Sequence, residues 1–306
     1  MKKPVIDFVG IGAQKAGTTW LYSRLLEQEQ FSLLPVKEIH FFDRDKKYPS
    51  PDFLSIESPL ERAKDANWTK HQIKMFANRL LKGQLSQLKW QLKWDLGKYD
   101  EQWYRSLFRN LEGIKGEITP SYSILEEEDI RNLKDTCGEP KIIFLMRDPI
   151  DRAWSSFRFS RNLPRGIKTS FDDIDGIISY MDNPSQDLRS NYIKTIEQYS
   201  TVFEKDKILL GFYDAVIEQP ENLLKQIVSF IGGDVSMLNT SNLKSRSNVS
   251  ETKDIPEPVY DHLQEKYKGL INELSETYGS YCSVWANRHY GNGSDLTDSK
   301  ATILLH

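Results

Sequence analysis

Four apolar segments alternate along the chain with segments in which apolar residues recur at helical spacing. Residues 5–12, 113–119, 140–149 and 207–214 are rich in aliphatic and β-branched residues, and this pattern predicts a buried strand in each. The predicted helices cover residues 18–28, 149–162, 220–232 and 258–278. Strands that alternate with helices favour an α/β fold with a mostly parallel central sheet flanked by helices.

A further segment, residues 59–110, has a helical pattern with a break near Gly97. It carries four of the seven tryptophans and many lysines. Aromatic residues at helical spacing are typical of a packing core; the alternative is that the rings stack on sugars while the lysines attract acidic groups. We expect one domain over residues 1–285, with 59–110 as an insertion, and a C-terminal tail over 286–306 that is poorly ordered from residue 291.

Composition narrows the class of protein without identifying it. The chain has 306 residues, of which 39% are hydrophobic and 28% charged, with a net charge of −3. These totals are ordinary for a globular protein and indicate neither a nucleic-acid-binding surface nor a strongly basic membrane patch. The two cysteines, Cys137 and Cys282, form no disulfide or zinc pattern, so we expect free thiols in a reducing compartment. No apolar run reaches about 18 residues, so we expect a cytoplasmic protein without a transmembrane helix.

The segment "GIGAQKAGTT" joins the first predicted strand to the first predicted helix. Gly12, Gly17 and Thr19 match the Walker A frame, but Thr18 stands where that motif has its lysine, and a lysine occurs earlier, at Lys15. Backbone amides at a helix N-terminus bind anions, and the helix dipole adds to the attraction. The segment therefore predicts a phosphate-binding loop; the alternative is a plain glycine turn.

The displaced lysine argues against a triphosphate and its Mg²⁺. A P-loop kinase or NTPase would need the Walker lysine and a strand that ends in an aspartate, whereas the strand over 141–146 is followed by Arg147. A lysine inside the loop fits a single phosphate group, and we expect no metal. The kinase or NTPase, and a catalytically silent nucleotide-binding protein, are the alternatives.

Two segments resemble the donor-binding motifs of sulfotransferases that use 3′-phosphoadenosine 5′-phosphosulfate (PAPS). "GIGAQKAGTTWLYSRLL" resembles their 5′-phosphosulfate loop, and "IIFLMRDPIDRAWSSF" resembles their 3′-phosphate motif. The resemblance implies a P-loop-like sulfotransferase fold, PAPS as donor and 3′-phosphoadenosine 5′-phosphate (PAP) as product. The donor-binding residues that it implies are Gln14, Lys15, Ala16, Gly17, Thr18, Thr19, Trp20, Arg147 and Ser155. Arg147 could instead pair with Asp148 or Asp151.

A third segment, "PVKEIHFFD", resembles the K-E-x-H-F-F stretch of heparan-type and bacterial sulfotransferases. The resemblance makes Glu38 the general base, with His40 as the alternative base or as an orienting group, and Lys37 beside them at the acceptor. In an extended segment, Glu38 and His40 would point to one side and Lys37 to the other. The alternative is a solvated charged loop.

Two weaker assignments complete the expected site. "WYRSLFRNLEGIKGEITPSYS" resembles a stretch that leads to the acceptor, which would put Glu117, Thr119 and Tyr122 in contact with it; Thr119 could equally just end a strand. In "KSRSNVS", Arg246 is the candidate for the last donor segment, with Lys244 and Asn248 beside it.

Taken together, the motifs predict in-line transfer of a sulfuryl group to a hydroxyl or an amine. Lys15 is expected to stabilise the departing phosphate and Glu38 to take the acceptor's proton. The insertion over 59–110 is expected on the acceptor side, and a saccharide, a glycolipid and a small molecule all stay open as acceptors. No nucleic-acid partner is expected, and the oligomeric state is left open.

Overall fold

The computed structural model describes residues 4–51, 54–64, 66–81, 85–163, 166–243, 253–291 and 299–306. Its centre is a six-stranded sheet with the order β2-β3-β1-β4-β5-β6. The strands are β1 Phe8–Gly12, β2 Phe31–Leu33, β3 Ile114–Ile118, β4 Lys141–Met146, β5 Ile208–Phe212 and β6 Thr302–Leu304. The first five pair in parallel, and β6 runs antiparallel to β5 at the edge.

Fourteen α-helices occur in the described part of the chain. They are α1 Thr18–Leu26, α2 Pro59–Ala63, α3 Ala66–Leu81, α4 Leu85–Leu96, α5 Glu101–Phe108, α6 Glu127–Cys137, α7 Pro149–Arg161, α8 Ile174–Met181, α9 Pro184–Ser190, α10 Tyr192–Val202, α11 Tyr213–Glu218, α12 Pro220–Ile231, α13 Glu257–Tyr278 and α14 Ser280–Tyr290. The α/β class and the mostly parallel sheet predicted from the alternating pattern are confirmed.

The central strands are buried on both faces, which explains their continuous apolar sequence. Every residue of β1 and β5 is buried, as are all residues of β4 except its first. Because these strands are parallel, their carboxyl ends meet at one edge of the sheet, where ligands bind in folds of this type. The chain segments that follow the strands at this edge are the loop after Gly12 and the segments that begin at Thr119, Arg147 and Tyr213.

The C-terminal region differs from the expected tail. Helix α14 runs through the expected boundary at 285 as far as Tyr290, and Trp285 is buried in the core. Further on, Thr302–Leu304 pairs with β5, because this short apolar strand covers an edge that would otherwise be open. The expectation of a poorly ordered end from 291 is therefore wrong for Thr302–Leu304, whereas 292–298 lie outside the described residues.

The insertion is helical and includes the break expected near Gly97, since α4 ends at Leu96 and α5 begins at Glu101. The rings of Trp90 and Trp94 stack at 5.1 Å, and Trp103 packs against Trp94 at 5.2 Å. Trp103 also lies 6.1 Å from Phe41, between ring centroids. These three tryptophans form the packing core that their spacing predicts; the side chain of Trp68 lies outside the described residues.

Three further observations bear on the sequence expectations. Cys137 and Cys282 are buried free thiols, as predicted. Within the described residues, no helix is both long enough and apolar enough to cross a membrane. Among those same residues, no group of three histidine, cysteine or acidic side chains is arranged to hold a metal ion.

Candidate active site

The loop between β1 and α1 turns through backbone conformations that favour glycine. Gly17 has φ +90°, and a Cβ atom there would lie 3.1 Å from the Tyr213 ring, so both the turn and the close approach require glycine. No side chain caps the start of α1. Its first amides are therefore left for another acceptor, as expected of an anion-binding helix N-terminus. Ala16 and Thr18 are buried here, whereas Gln14 and Thr19 are half-buried.

Lys15 occupies this loop in a strained backbone conformation, with φ +72°. Its Nζ atom lies 3.8 Å from the centroid of the Phe159 ring. In the described part of the chain, no carboxylate lies within ion-pair distance of this Nζ atom. Burial, together with the nearby Arg147, lowers the pKa of Lys15 to about 8, while Glu38 acts in the opposite direction. The ammonium is thus a cation that still lacks an anion.

Arg147 follows β4 and reaches back to the same loop. Its Nη1 donates to the carbonyl oxygen of Lys15 at 3.2 Å, and its guanidinium stacks 4.4 Å from the Tyr213 ring. Its Nε is buried without a hydrogen-bond partner among the described residues. Within the described residues, Arg147 forms no ion pair with Asp148 or Asp151. Both aspartates instead bind Arg288 at 3.3 Å.

Helix α7 adds three side chains near the loop. Ser155 is buried, and Phe159, which packs against Lys15, lies one turn further along the same face. Arg158 lies close enough to lower the pKa of Lys15, and burial lowers the pKa of Arg158 itself. Sequence reasoning missed Arg158, although it stands three residues after Ser155 and could have been found from that spacing.

Glu38 lies between two cations. Lys37 forms an ion pair with its carboxylate, and Nε2 of His40 lies 3.7 Å from its other oxygen. The segment is not extended as expected, because Glu38 and His40 have φ +67° and +57°. Glu38 and His40 still face each other, but Lys37, which was expected to point away, turns toward Glu38.

These contacts shift two pKa values in opposite directions. Burial would raise the pKa of Glu38, but hydrogen bonding from His40 and the charge of Lys37 lower it to about 2. Burial would lower the pKa of His40, but Asp43, at 2.8 Å from Nδ1, and Glu38 raise it to about 9. At neutral pH the site therefore holds an ionised Glu38 beside a protonated His40.

Glu117, Thr119 and Tyr122 lie behind this segment and are buried. The hydroxyl of Thr119 donates to Glu117 at 3.0 Å, and that of Tyr122 donates to it at 3.4 Å. The amide of Ile39 donates to Thr119 Oγ1, and that of Phe41 donates to the Tyr122 hydroxyl, each at 3.0 Å. These side chains hold the backbone on both sides of His40, and their expected contact with the acceptor stays a prediction.

The carboxyl group of Glu117 is the buried centre of that network. Tyr104, which sequence reasoning missed, also donates a hydrogen bond to it. Burial raises the pKa of Glu117 to about 7. The 117–122 stretch is therefore a polar support that connects β3 to the Glu38 segment.

The expected last donor segment, residues 244–250, lies outside the described residues, and only the chain that leads to it can be described. Trp20 donates from Nε1 to the carbonyl oxygen of Leu243 at 3.1 Å, and Arg24 donates to that of Asn242 at 2.5 Å. These bonds hold the chain against α1 just before residue 244. Arg246 lies outside the described residues, as do Lys244 and Asn248.

Comparison with known proteins identifies the family and the fold. The sulfotransferase domain family model matches residues 130–283. A sulfotransferase from Alicyclobacillus acidocaldarius superposes with a TM-score of 0.61, at 17% identity, over 93% of this chain and 99% of its own. The sulfotransferase STF9 from Mycobacterium avium superposes with a TM-score of 0.50, at 11% identity, over 90% of this chain and 78% of its own. No curated protein sequence matches the chain. Since the family model covers half of the sequence and the architecture is the one that these enzymes share, the chain belongs to the sulfotransferase domain family.

Proposed function

We propose that the protein transfers a sulfuryl group from PAPS to a hydroxyl or amine of a saccharide, glycolipid or small molecule. The observation that carries this proposal is the convergence of Lys15, Arg147 and Glu38 at the carboxyl edge of the sheet. The guanidinium of Arg147 bonds the backbone of Lys15. The charge of Glu38 acts on the ammonium of Lys15. Two cations and a carboxylate therefore lie close together at one edge of the sheet, which supports a site for an anionic donor.

The donor side fits a nucleotide that carries two separate phosphate groups. The Lys15 ammonium and the amides at the start of α1 would hold one phosphate, with the hydroxyls of Thr18 and Thr19. The Nε of Arg147, buried without a partner within the described ranges, would hold the other, with Ser155. PAPS supplies a sulfuryl group whose leaving group is the 5′-phosphate.

The acceptor's proton needs a base, and Glu38 is the better candidate. With a pKa of about 2, its carboxylate is ionised throughout the physiological range, although the low value also makes it a weak base. His40, with a pKa of about 9, is protonated at neutral pH and cannot accept a proton there. We therefore assign His40 to orient Glu38.

In the proposed step, Glu38 takes the proton of the acceptor as the acceptor's oxygen or nitrogen bonds to sulfur. The bond between sulfur and the bridging oxygen breaks, and its electron pair remains on the phosphate. Lys15 and the loop amides stabilise that growing negative charge, an effect worth about 3 kcal/mol for each fixed donor. Protons and electrons balance without a metal or a further reactant.

The kinase or NTPase alternative lacks support from the described residues. Thr18 occupies the position of the Walker lysine, and the strand that would supply a metal-binding aspartate is followed by Arg147. A catalytically silent binding protein remains the alternative that only an assay can test.

Incubation with PAPS labelled in its sulfuryl group, together with a lipid and saccharide extract, tests the proposed reaction. We expect the label to appear in an acceptor fraction with the wild type and to be nearly absent with Lys15→Ala. Lys268→Ala, which removes an exposed lysine on α13, is the matched control and should transfer label normally. Equal transfer by Lys15→Ala, or no transfer by the wild type to any fraction, would contradict the proposal.

A further inference from the structure

Among the described side chains of the insertion, several polar residues are buried near its tryptophans and several large aliphatic residues are exposed. Gln91 and Asp95 on α4 are 5% and 7% exposed, and Arg62 on α2 is 3% exposed. In contrast, Ile73 on α3 and Leu96 on α4 are 64% and 63% exposed. A surface helix of a globular protein normally has the opposite arrangement. Large aliphatic side chains left this exposed on neighbouring helices are candidates for an interaction surface.

The buried Arg62 holds the helices of the insertion together through backbone hydrogen bonds. The guanidinium of Arg62 donates to four backbone carbonyls, those of Ile56, Glu57, Asp95 and Gly97, at 2.6 to 2.8 Å. It also stacks 3.6 Å from the ring of Tyr99. Both terminal nitrogens of this buried cation therefore bind backbone carbonyls, and these bonds hold α2 against the end of α4.

Two exposed lysines flank the exposed Ile73 on one face of α3. In α3, Lys70, Ile73 and Lys74 follow one another at helical spacing and are all exposed. In α4, Leu92 and Leu96 lie one turn apart and are both exposed. We call the set Leu60, Lys70, Ile73, Lys74, Leu92 and Leu96 the outer face of the insertion.

The charge of this segment is the opposite of that of the whole chain. Residues 66–98 contain seven lysines and arginines and a single acidic residue, Asp95, so this segment has a net charge of +6. The chain as a whole has a net charge of −3, so the remaining residues sum to −9. Total composition therefore concealed a strongly basic segment.

We propose that the outer face of the insertion docks on the headgroup layer of a lipid bilayer that contains anionic lipids. Aliphatic side chains flanked by lysines are what such a surface binds, the first by burial at the acyl boundary and the second by charge. A second copy of the chain is a poorer occupant, because two segments of charge +6 would repel each other. An acidic polysaccharide would not require the exposed aliphatic residues. The proposal is independent of the proposed sulfuryl transfer.

Vesicle flotation of the full chain tests this proposal. We expect binding to vesicles of phosphatidylcholine with about one quarter phosphatidylglycerol, little binding to pure phosphatidylcholine, and weakening by salt. Lys70→Glu/Lys74→Glu should lower the affinity by about 30-fold or more, since each lysine near an anionic surface contributes about fivefold. Ile73→Ser/Leu96→Ser, which leaves the charge unchanged, should lower it by about tenfold.

Matched variants separate the outer face from general effects. Lys194→Glu/Lys268→Glu changes two exposed lysines on α10 and α13, and Leu188→Ser/Met237→Ser changes two exposed aliphatic residues elsewhere. Both controls should bind vesicles like the wild type. The proposal is overturned if the wild type does not bind anionic vesicles at low salt, or if the controls lose as much affinity as the outer-face variants. The proposal is equally overturned if Ile73→Ser/Leu96→Ser binds anionic vesicles normally and heparin fully displaces the protein from them. That result would indicate that the surface binds an acidic polysaccharide.

Discussion

Replacing His40 by asparagine should remove a specific part of the pH dependence of stability. The imidazole is buried, Nδ1 lies 2.8 Å from the buried carboxylate of Asp43, and Nε2 lies 3.7 Å from Glu38. Asparagine is similar in size to part of the ring but cannot carry a charge. The variant therefore leaves the carboxylate of Asp43 without its cation.

The direction and size of the effect follow from the shifted pKa of His40. Its pKa rises from 6.5 to about 9 on folding. The contribution to stability is therefore complete below pH 6.5 and is lost as the pH rises through about 9. A shift of this size corresponds to roughly 3 kcal/mol, at about 1.4 kcal/mol per pH unit.

Urea denaturation of the wild type and His40→Asn between about pH 6 and pH 9.5 measures this difference. The free energy of unfolding of the wild type should exceed that of the variant at pH 6, and this difference should shrink by roughly 2 to 3 kcal/mol by pH 9.5. Glu117 and Lys15 also titrate there, with pKa values of about 7 and 8, but they are present in both proteins and cancel in the difference. His262→Asn, which alters a surface histidine bound to Asp182, is the matched control and should leave the wild-type pH profile unchanged. An advantage that stays constant with pH would refute the assignment of a buried, protonated His40.

Three further substitutions test the site. Glu38→Gln should lower kcat by about 10² to 10⁴-fold and leave the affinity for PAP unchanged; normal turnover would remove Glu38 as the base. Arg147→Ala should raise the donor KM by about 10 to 100-fold and abolish the preference for a 3′-phosphorylated nucleotide, whereas an unchanged preference would place that phosphate elsewhere. Tyr122→Phe removes the hydroxyl that binds the amide of Phe41, so it should cost about 1–3 kcal/mol of stability and lower kcat. Tyr199→Phe breaks a buried hydrogen bond to the carbonyl oxygen of Tyr122, so it should cost similar stability and leave kcat normal. Equal losses of kcat in both variants would count against a role for the Tyr122 hydroxyl in positioning the Glu38 segment.

The parts of the fold that could be predicted are those with long, consistent patterns. β1, β4 and β5 are continuous apolar runs, and α12 and α13 have clear helical spacing, so their positions agree with the prediction within a few residues. β2 and β6 were not predicted, because each has three residues and exists only through pairing with a neighbouring strand. Short edge strands of this kind depend on tertiary contacts that a local pattern does not contain.

In the site, motifs indicated the residue types but not their surroundings. The loop around Lys15 and the arginine at the end of β4 meet as the parallel topology implies. The turn of the chain at Glu38 and His40 could not be predicted, because neither residue is glycine and the positive φ depends on hydrogen bonds to Thr119 and Tyr122. Those bonds span about 80 residues of sequence, so only the folded structure reveals them.

Ligand-induced stabilisation tests the central claim most directly. The melting temperature would be measured with PAP and with ATP, each with and without Mg²⁺. At about 100 times its Kd a ligand adds about 2.7 kcal/mol to the free energy of unfolding. We predict that PAP raises the melting temperature without metal and that ATP has little effect. Stabilisation by ATP only in the presence of Mg²⁺, with none by PAP, would contradict the account.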